Sequence, residues 1–103
     1  MSKHVHSLKI VSKKRLNNEY FRLKLTHYDT LPEIQPAQFA EVLVEDSPET
    51  FLRRPISIHD VDYEENTLSL LIRIAGKGTE KLSQLKKGQF LNLVYPLGNS
   101  FSM

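Results

Sequence analysis

Thr67-Leu68-Ser69-Leu70-Leu71-Ile72-Arg73-Ile74-Ala75-Gly76-Lys77-Gly78-Thr79 carries the plainest structural pattern in this sequence. Leu68, Leu70, Ile72 and Ile74 recur at every second position; Thr67, Ser69 and Arg73 fall between them, with Leu71 the exception. Successive side chains of a strand point to opposite faces, so this period predicts a half-buried β-strand. Glu64, Glu65 and Asn66 supply the turn that leads into it.

The same period recurs on both sides. Leu8 and Ile10 alternate with Ser7 and Lys9, and Phe21, Leu23 and Leu25 alternate with Arg22, Lys24 and Thr26, a first pair of strands turning near Asn17 and Asn18. Beyond Pro32 and Pro36, Phe39 to Val44 reads as a third strand. Asp46, Ser47 and Pro48 break the chain before a fourth, anchored by Ile56 and Ile58. A sixth runs from Phe90 to Tyr95 and meets the turn-forming Pro96-Leu97-Gly98-Asn99. Thr79 to Leu85 alone has helical spacing, with Leu82 and Leu85 at i, i+3, Thr79 as a suitable N-cap and Gly88 beyond. Six short strands and one small helix predict an all-β fold, a closed or nearly closed antiparallel barrel, because closure removes exposed strand edges.

With 103 residues, 40% of them hydrophobic, the chain predicts one domain, residues 1–103, with a core of its own. It has no Cys, which excludes a disulfide framework, cysteine-ligated zinc or iron–sulfur within these residues, and a cysteine nucleophile. No stretch approaches the roughly eighteen consecutive apolar residues of a membrane helix, and MSKHVHSLKI lacks the apolar run of a signal peptide. The expectation is a cytoplasmic protein with no membrane partner. The net charge of +2 is spread along the chain, and the longest basic run, Lys13-Lys14-Arg15, is too short for a nucleic-acid tail.

Two stretches carry chemistry of interest. Gly76-Lys77-Gly78-Thr79 stands where a strand gives way to a helix, where backbone N–H groups and the helix dipole favour a phosphate. Its spacing fits neither a P-loop nor a dinucleotide fingerprint, and a flexible turn with an ordinary Thr cap is the plain alternative. Arg53-Arg54-Pro55-Ile56-Ser57-Ile58 places an Arg pair directly before an apolar run, and Arg grips phosphate bidentately. Pro55 removes a donor, so this end of the strand lies on an edge or opens toward something other than a strand. Ser57 falls on the face opposite Ile56 and Ile58. A solvated rim of arginines is the alternative reading here. Arg73 either shares an anion with Arg54 across neighbouring strands or faces solvent. His4 and His6 share a strand face, but nothing supplies a third metal ligand at recognisable spacing, and no metal site is expected. His27, His59 and the serines form no nucleophile–base pair by spacing, so no catalytic residue is expected in this chain.

Arg54-Pro55-Ile56-Ser57, Leu71-Ile72-Arg73, Gly76-Lys77-Gly78-Thr79 and Pro96-Leu97-Gly98-Asn99 come in the order and spacing of one family. The chain resembles the FAD-binding domain of the ferredoxin reductase superfamily over essentially its whole length. Within that superfamily it is similar to the electron-transfer subunit branch of class 1B dihydroorotate dehydrogenase, in which R-R-P-I-S-I, G-x-G-T and G-P-L-G-N-G-F are typical. The resemblance implies a six-stranded antiparallel Greek-key barrel with one short helix, and FAD as cofactor. It implies that Arg54 holds the FAD pyrophosphate, and that Ser57 hydrogen-bonds near the reactive edge of the isoalloxazine. Pro55 and Ile56 would shape the strand beneath the ring. Leu71, Ile72 and Arg73 would line the flavin and its ribityl or phosphate tail, and Gly78 and Thr79 would offer backbone N–H and hydroxyl donors to phosphate.

The chain departs from that pattern in places. Ile56 stands where many relatives carry an aromatic residue, as is usual in this branch; Ile72 replaces a frequent Tyr, and Tyr95 and Ser100 replace the outer glycines of G-P-L-G-N-G-F. The NAD-binding domain and the cysteine cluster for a [2Fe–2S] centre are not in these residues, so the resemblance implies an N-terminal piece that holds FAD less firmly and does not turn over alone. The implied partner is the FMN-containing catalytic subunit of dihydroorotate dehydrogenase, in pyrimidine biosynthesis. The FAD domain of another NAD(P)H-linked reductase and a docking surface for a catalytic partner are the neighbouring readings. The rival from another class is an OB-type barrel binding nucleic acid through Arg53, Arg54 and Lys77. It needs exposed aromatics for base stacking, whereas Phe21, Phe39 and Phe90 read as buried, and no nucleic-acid partner is expected.

Overall fold

The computed structural model describes residues 3–44 and 53–98. Six strands, β1 (His4–Arg15), β2 (Tyr20–Thr26), β3 (Phe39–Leu43), β4 (Arg53–Asp62), β5 (Thr67–Arg73) and β6 (Phe90–Leu97), close into a barrel in the order β1-β2-β5-β4-β3-β6. Every neighbouring pair is antiparallel. This is the all-β barrel that the alternating pattern predicts, and among the described residues one helix, α1 (Lys77–Ser83), follows β5.

The interior is filled from alternate positions of each strand. Leu8 and Ile10 of β1, Phe21, Leu23 and Leu25 of β2, Ala40 and Val42 of β3, and Leu68, Leu70 and Ile72 of β5 are all buried, and Ile56, Leu91, Leu93 and Tyr95 complete the core. Leu82 packs α1 onto this core. Thr67 and Ser69 take the outward phase of β5, but flanking side chains leave them only 6% and 8% exposed.

Side chains close the turns. Asn17 Oδ1 accepts from the N–H groups of Glu19 and Tyr20, fixing the β1–β2 turn where expected. Asp62 Oδ1 accepts from the N–H groups of Glu64 and Glu65, and Asn66 takes the left-handed conformation at φ 58° to lead into β5.

Three local expectations are corrected. The helix runs from Lys77 to Ser83, beginning two residues before the expected Thr79, and Gly76 is its N-cap. Thr79 acts from inside the first turn instead: its hydroxyl oxygen accepts from the N–H of Ala75 at 2.7 Å and donates to the carbonyl of Gly76 at 3.2 Å. Phe90, read as buried, is 62% exposed, and Phe39, read the same way, takes the outward phase of β3 and is only half-buried. Leu91, Leu93 and Tyr95 hold the inward phase of β6, which leaves Phe90 outside with Asn92 and Val94. Finally, Pro96 and Leu97 belong to β6, and the chain leaves the strand at Gly98 with φ 89°. Asp46, Ser47, Pro48, Asn99 and Ser100 lie outside the described residues. Among the described residues, no helix is long and apolar enough to cross a membrane.

Candidate functional site

The ladder around β4 is asymmetric. Over Arg53–Ser57 it pairs with β3, from Leu43↔Arg53 to Phe39↔Ser57, whereas β5 joins it only from Ser57↔Leu71 onward. The first four residues of β4 therefore have a strand on one side only, and β5 leaves toward α1 on the other. Between them lies a notch. Pro55 sits in this one-sided segment, where a residue without an N–H is tolerated, as the sequence predicts.

Strand phase sorts the candidate residues. Arg54 and Ile56 share one phase; Ile56 is 7% exposed and packs into the core, while Arg54, nearer the barrel rim, is exposed. Pro55 and Ser57 are exposed on the outer face. Ser57 stands directly across from Leu71, which is half-buried, so a hydroxyl and an apolar side chain form one outward cross-strand pair. Arg73 lies two residues further along β5, exposed, with its Nε 3.8 Å from Glu19 Oε1. The side chain of Ile72 is fully buried, so this residue offers the notch only its main chain.

The helix brings the two stretches together. A Cβ built on Gly78 would lie 2.8 Å from Nε of Arg54 and 3.4 Å from its Cζ and Nη2, so the guanidinium rests on the first turn of α1 where only glycine leaves room. The first main-chain bond of that turn runs from the N–H of Glu80 to the carbonyl of Gly76 at 2.9 Å. The N–H groups of Gly78 and Thr79 come before that ladder begins, where a helix has donors to spare. The guanidinium of Arg54 therefore lies beside the start of a helix, and a planar cation next to early helix N–H groups is a combination whose chemistry suits a phosphate. Arg54, Gly78 and Thr79 are thus brought together; Arg73 points to Glu19 rather than to Arg54. No local spacing announces the Arg54–Gly78 contact, because 24 positions separate the two residues, and only the family resemblance groups them.

A second constellation lies at the other end of the barrel. His6 Nδ1 hydrogen-bonds the hydroxyl of Tyr95 at 3.0 Å, and the ring of His27 stacks on His6 at 4.1 Å between centroids. His4 lies 5.3 Å from His6. Burial pushes His6 below the ordinary imidazole range, as do the neighbouring charges of His27 and His4, against a weaker opposing pull from Asp29. Burial also pushes Tyr95 up to about 12. His27 joins this group although it is far from His4 and His6 in sequence. Among the described residues, no group of three or more His, Asp or Glu side chains is arranged to hold a metal ion.

Residues 3–101 match the family described as the oxidoreductase FAD-binding domain. The chain belongs to that family. Its barrel is 38% identical, over 91% of the chain, to the electron transfer subunit of dihydroorotate dehydrogenase B (NAD(+)) from Lysinibacillus sphaericus, and 33% identical over its full length to the same subunit from Enterococcus faecalis. The chain spans 36% and 39% of the length of these two relatives. It is also similar to the structure of an NADH-dependent reduced ferredoxin-NADP oxidoreductase from a study of flavin-based electron bifurcation, with a TM-score of 0.80 and 26% identity. That match covers 92% of this chain and 34% of the other. The FAD-binding domain assignment leaves the nucleic-acid barrel unsupported, although exposed Phe90 removes one argument against it. Phe90 opens β6 while Tyr28 and Tyr63 follow β2 and β4, at opposite ends of the barrel, so among the described residues the exposed aromatics form no stacking platform.

Proposed function

We propose that this FAD-binding domain holds its cofactor in the notch between β4 and β5, with the pyrophosphate taken by Arg54 and the N–H groups of Gly78 and Thr79. The observation that carries this reading is the guanidinium of Arg54 lying against Gly78. When bound, FAD supplies electron exchange with a nicotinamide on one side and an iron–sulfur centre on the other. The chain's own residues bind and orient. Ser57 presents a hydroxyl, and Leu71 opposite it an apolar surface, to the isoalloxazine; Pro55 leaves the strand edge open. Ile56 and Ile72 hold the two strands from the core side. Arg73 reaches the ribityl or phosphate tail by leaving Glu19, since an exposed pair at 3.8 Å is weak. The hydroxyl of Thr79 keeps the turn closed, and its main chain faces the anion.

The domain serves, in this proposal, as the flavin module of an electron-transfer subunit of the dihydroorotate dehydrogenase B kind. NAD and [2Fe–2S] chemistry would come from other domains, and an FMN-containing catalytic subunit would be the electron source. These 103 residues would not turn over alone.

Titration of the purified protein with FAD, followed by flavin fluorescence, tests the site. Saturable binding weakened about tenfold or more by Arg54→Ala is expected for a lost charge-assisted grip. Undiminished affinity in that variant would move the pyrophosphate elsewhere. The subunit assignment is tested separately by dihydroorotate-dependent NAD reduction in the reconstituted assembly. Activity confined to other electron donors would make this the FAD domain of a different reductase.

A further inference from the structure

Arg53 and Arg54 are adjacent in sequence, yet their side chains are engaged on different sides of β4. Arg53 reaches away from the notch. Its Nη1 donates to the carbonyl of Glu41 on β3 at 3.2 Å, and its Nη2 donates to Oδ1 of Asn92 on β6 at 2.5 Å. Asn92 Nδ2 lies 3.4 Å from Ser7 Oγ on β1. A polar rail thus crosses the outside of four strands, β4, β3, β6 and β1. It starts in the segment whose main chain pairs on one side only, because β5 joins β4 no earlier than Ser57. Such a half-held strand end has fewer ladder bonds to fix it, and a guanidinium bonded to the next two strands restores lateral restraint.

We infer that Arg53 is a positioning residue: clamped to Glu41 and Asn92, it fixes the open start of β4 and so sets Arg54 against Gly78 for the pyrophosphate, without binding phosphate itself. The inference rests on the flavin site proposed above. An Arg53 that gripped the anion would have to abandon both of its bonds, whereas Arg54 already stands beside the N–H groups of α1.

The test compares the purified wild-type protein with Arg53→Gln, Asn92→Leu, Asn92→Asp, Arg54→Ala and the Arg53→Gln/Arg54→Ala double variant. FAD is titrated against each, with riboflavin, which lacks the pyrophosphate, as the control probe. Arg53→Gln and Asn92→Leu are each expected to weaken FAD about tenfold, with Asn92→Asp restoring binding because its carboxylate still accepts from Arg53. Riboflavin binding stays unchanged throughout, and Arg53→Gln adds little once Arg54 is gone. An equal loss from Arg53→Gln with and without Arg54 would make Arg53 a direct ligand and overturn the inference, as would full FAD affinity in Asn92→Leu. If Arg54→Ala has no effect, it is the flavin site that fails. Hydrogen exchange in flavin-free protein then still decides the clamp. Faster exchange at the amides of Arg54 and Ile56 in Arg53→Gln and Asn92→Leu, with β2 unchanged, supports it, and unaltered exchange overturns it.

Discussion

The Nε of Arg54 lies 2.8 Å from where a Cβ on Gly78 would stand, so glycine at 78 and arginine at 54 form one feature across 24 positions of sequence. The obstructing atoms are the far end of a flexible side chain, so in Gly78→Ala the guanidinium moves and the fold does not. Alanine is also the better helix former, by up to about 1 kcal/mol. Stability and binding should therefore move in opposite directions: an equal or slightly higher midpoint in urea, and FAD affinity reduced about tenfold as Arg54 is displaced. A variant that loses stability and keeps its affinity would show that Arg54 does not use this seat.

Much of the barrel is legible in the sequence, for reasons that differ from residue to residue. Leu68, Leu70 and Ile72 announce β5 because half-burial imposes a period of two, and Asn17 and Asn66 announce turns through side chains that satisfy nearby backbone groups. Motif order, through the family resemblance, groups Arg54, Gly78 and Thr79. Apolar character alone misplaces Phe90, since Leu91, Leu93 and Tyr95 hold the inward phase and turn it outward. The start of α1 is not legible because Gly76 caps without a side chain and Thr79 closes the turn from within. The partnership of Arg53 with Asn92 comes from β3 standing between β4 and β6, and that of His27 with His6 from the β1–β2 register, and neither placement has a local signature in the sequence.

Thr79 joins strand to helix through a hydroxyl that both accepts from Ala75 and donates to Gly76. Thr79→Val keeps the shape and removes both bonds. The expected cost is about 1 kcal/mol in chemical denaturation, with Thr79→Ser close to wild type. Equal stability of the Val and wild-type proteins would show that the hydroxyl does not hold this junction.

Phe90 offers a check on the corrected phase of β6. A buried Phe loses about 3–5 kcal/mol on truncation, whereas a surface substitution usually stays within about 0.5 kcal/mol. With 62% of its surface exposed, Phe90→Thr should fall near the second figure, and Phe21→Ala, at a fully buried position, near the first. A large loss at Phe90, measured by urea unfolding, would put that ring back in the core.

The His6 and Tyr95 pair should give the fold a stability plateau with two edges. His6 is depressed in the folded state, chiefly by burial and then by His27 and His4, so the unfolded chain takes up protons first as the pH falls. Its stabilising contribution is fully present above the ordinary value of 6.5 and drains away as the pH drops below that. Tyr95 is pushed up to about 12 by burial, so its contribution is complete below the ordinary value of 10.0 and is lost as the pH rises from there toward 12. Urea midpoints followed across this range should fall at both ends in wild-type protein. His6→Gln keeps a polar partner near Tyr95 without an ionisable ring, and it should flatten the acid edge while leaving the alkaline edge in place. An acid edge that survives His6→Gln unchanged would assign it to the carboxylates instead.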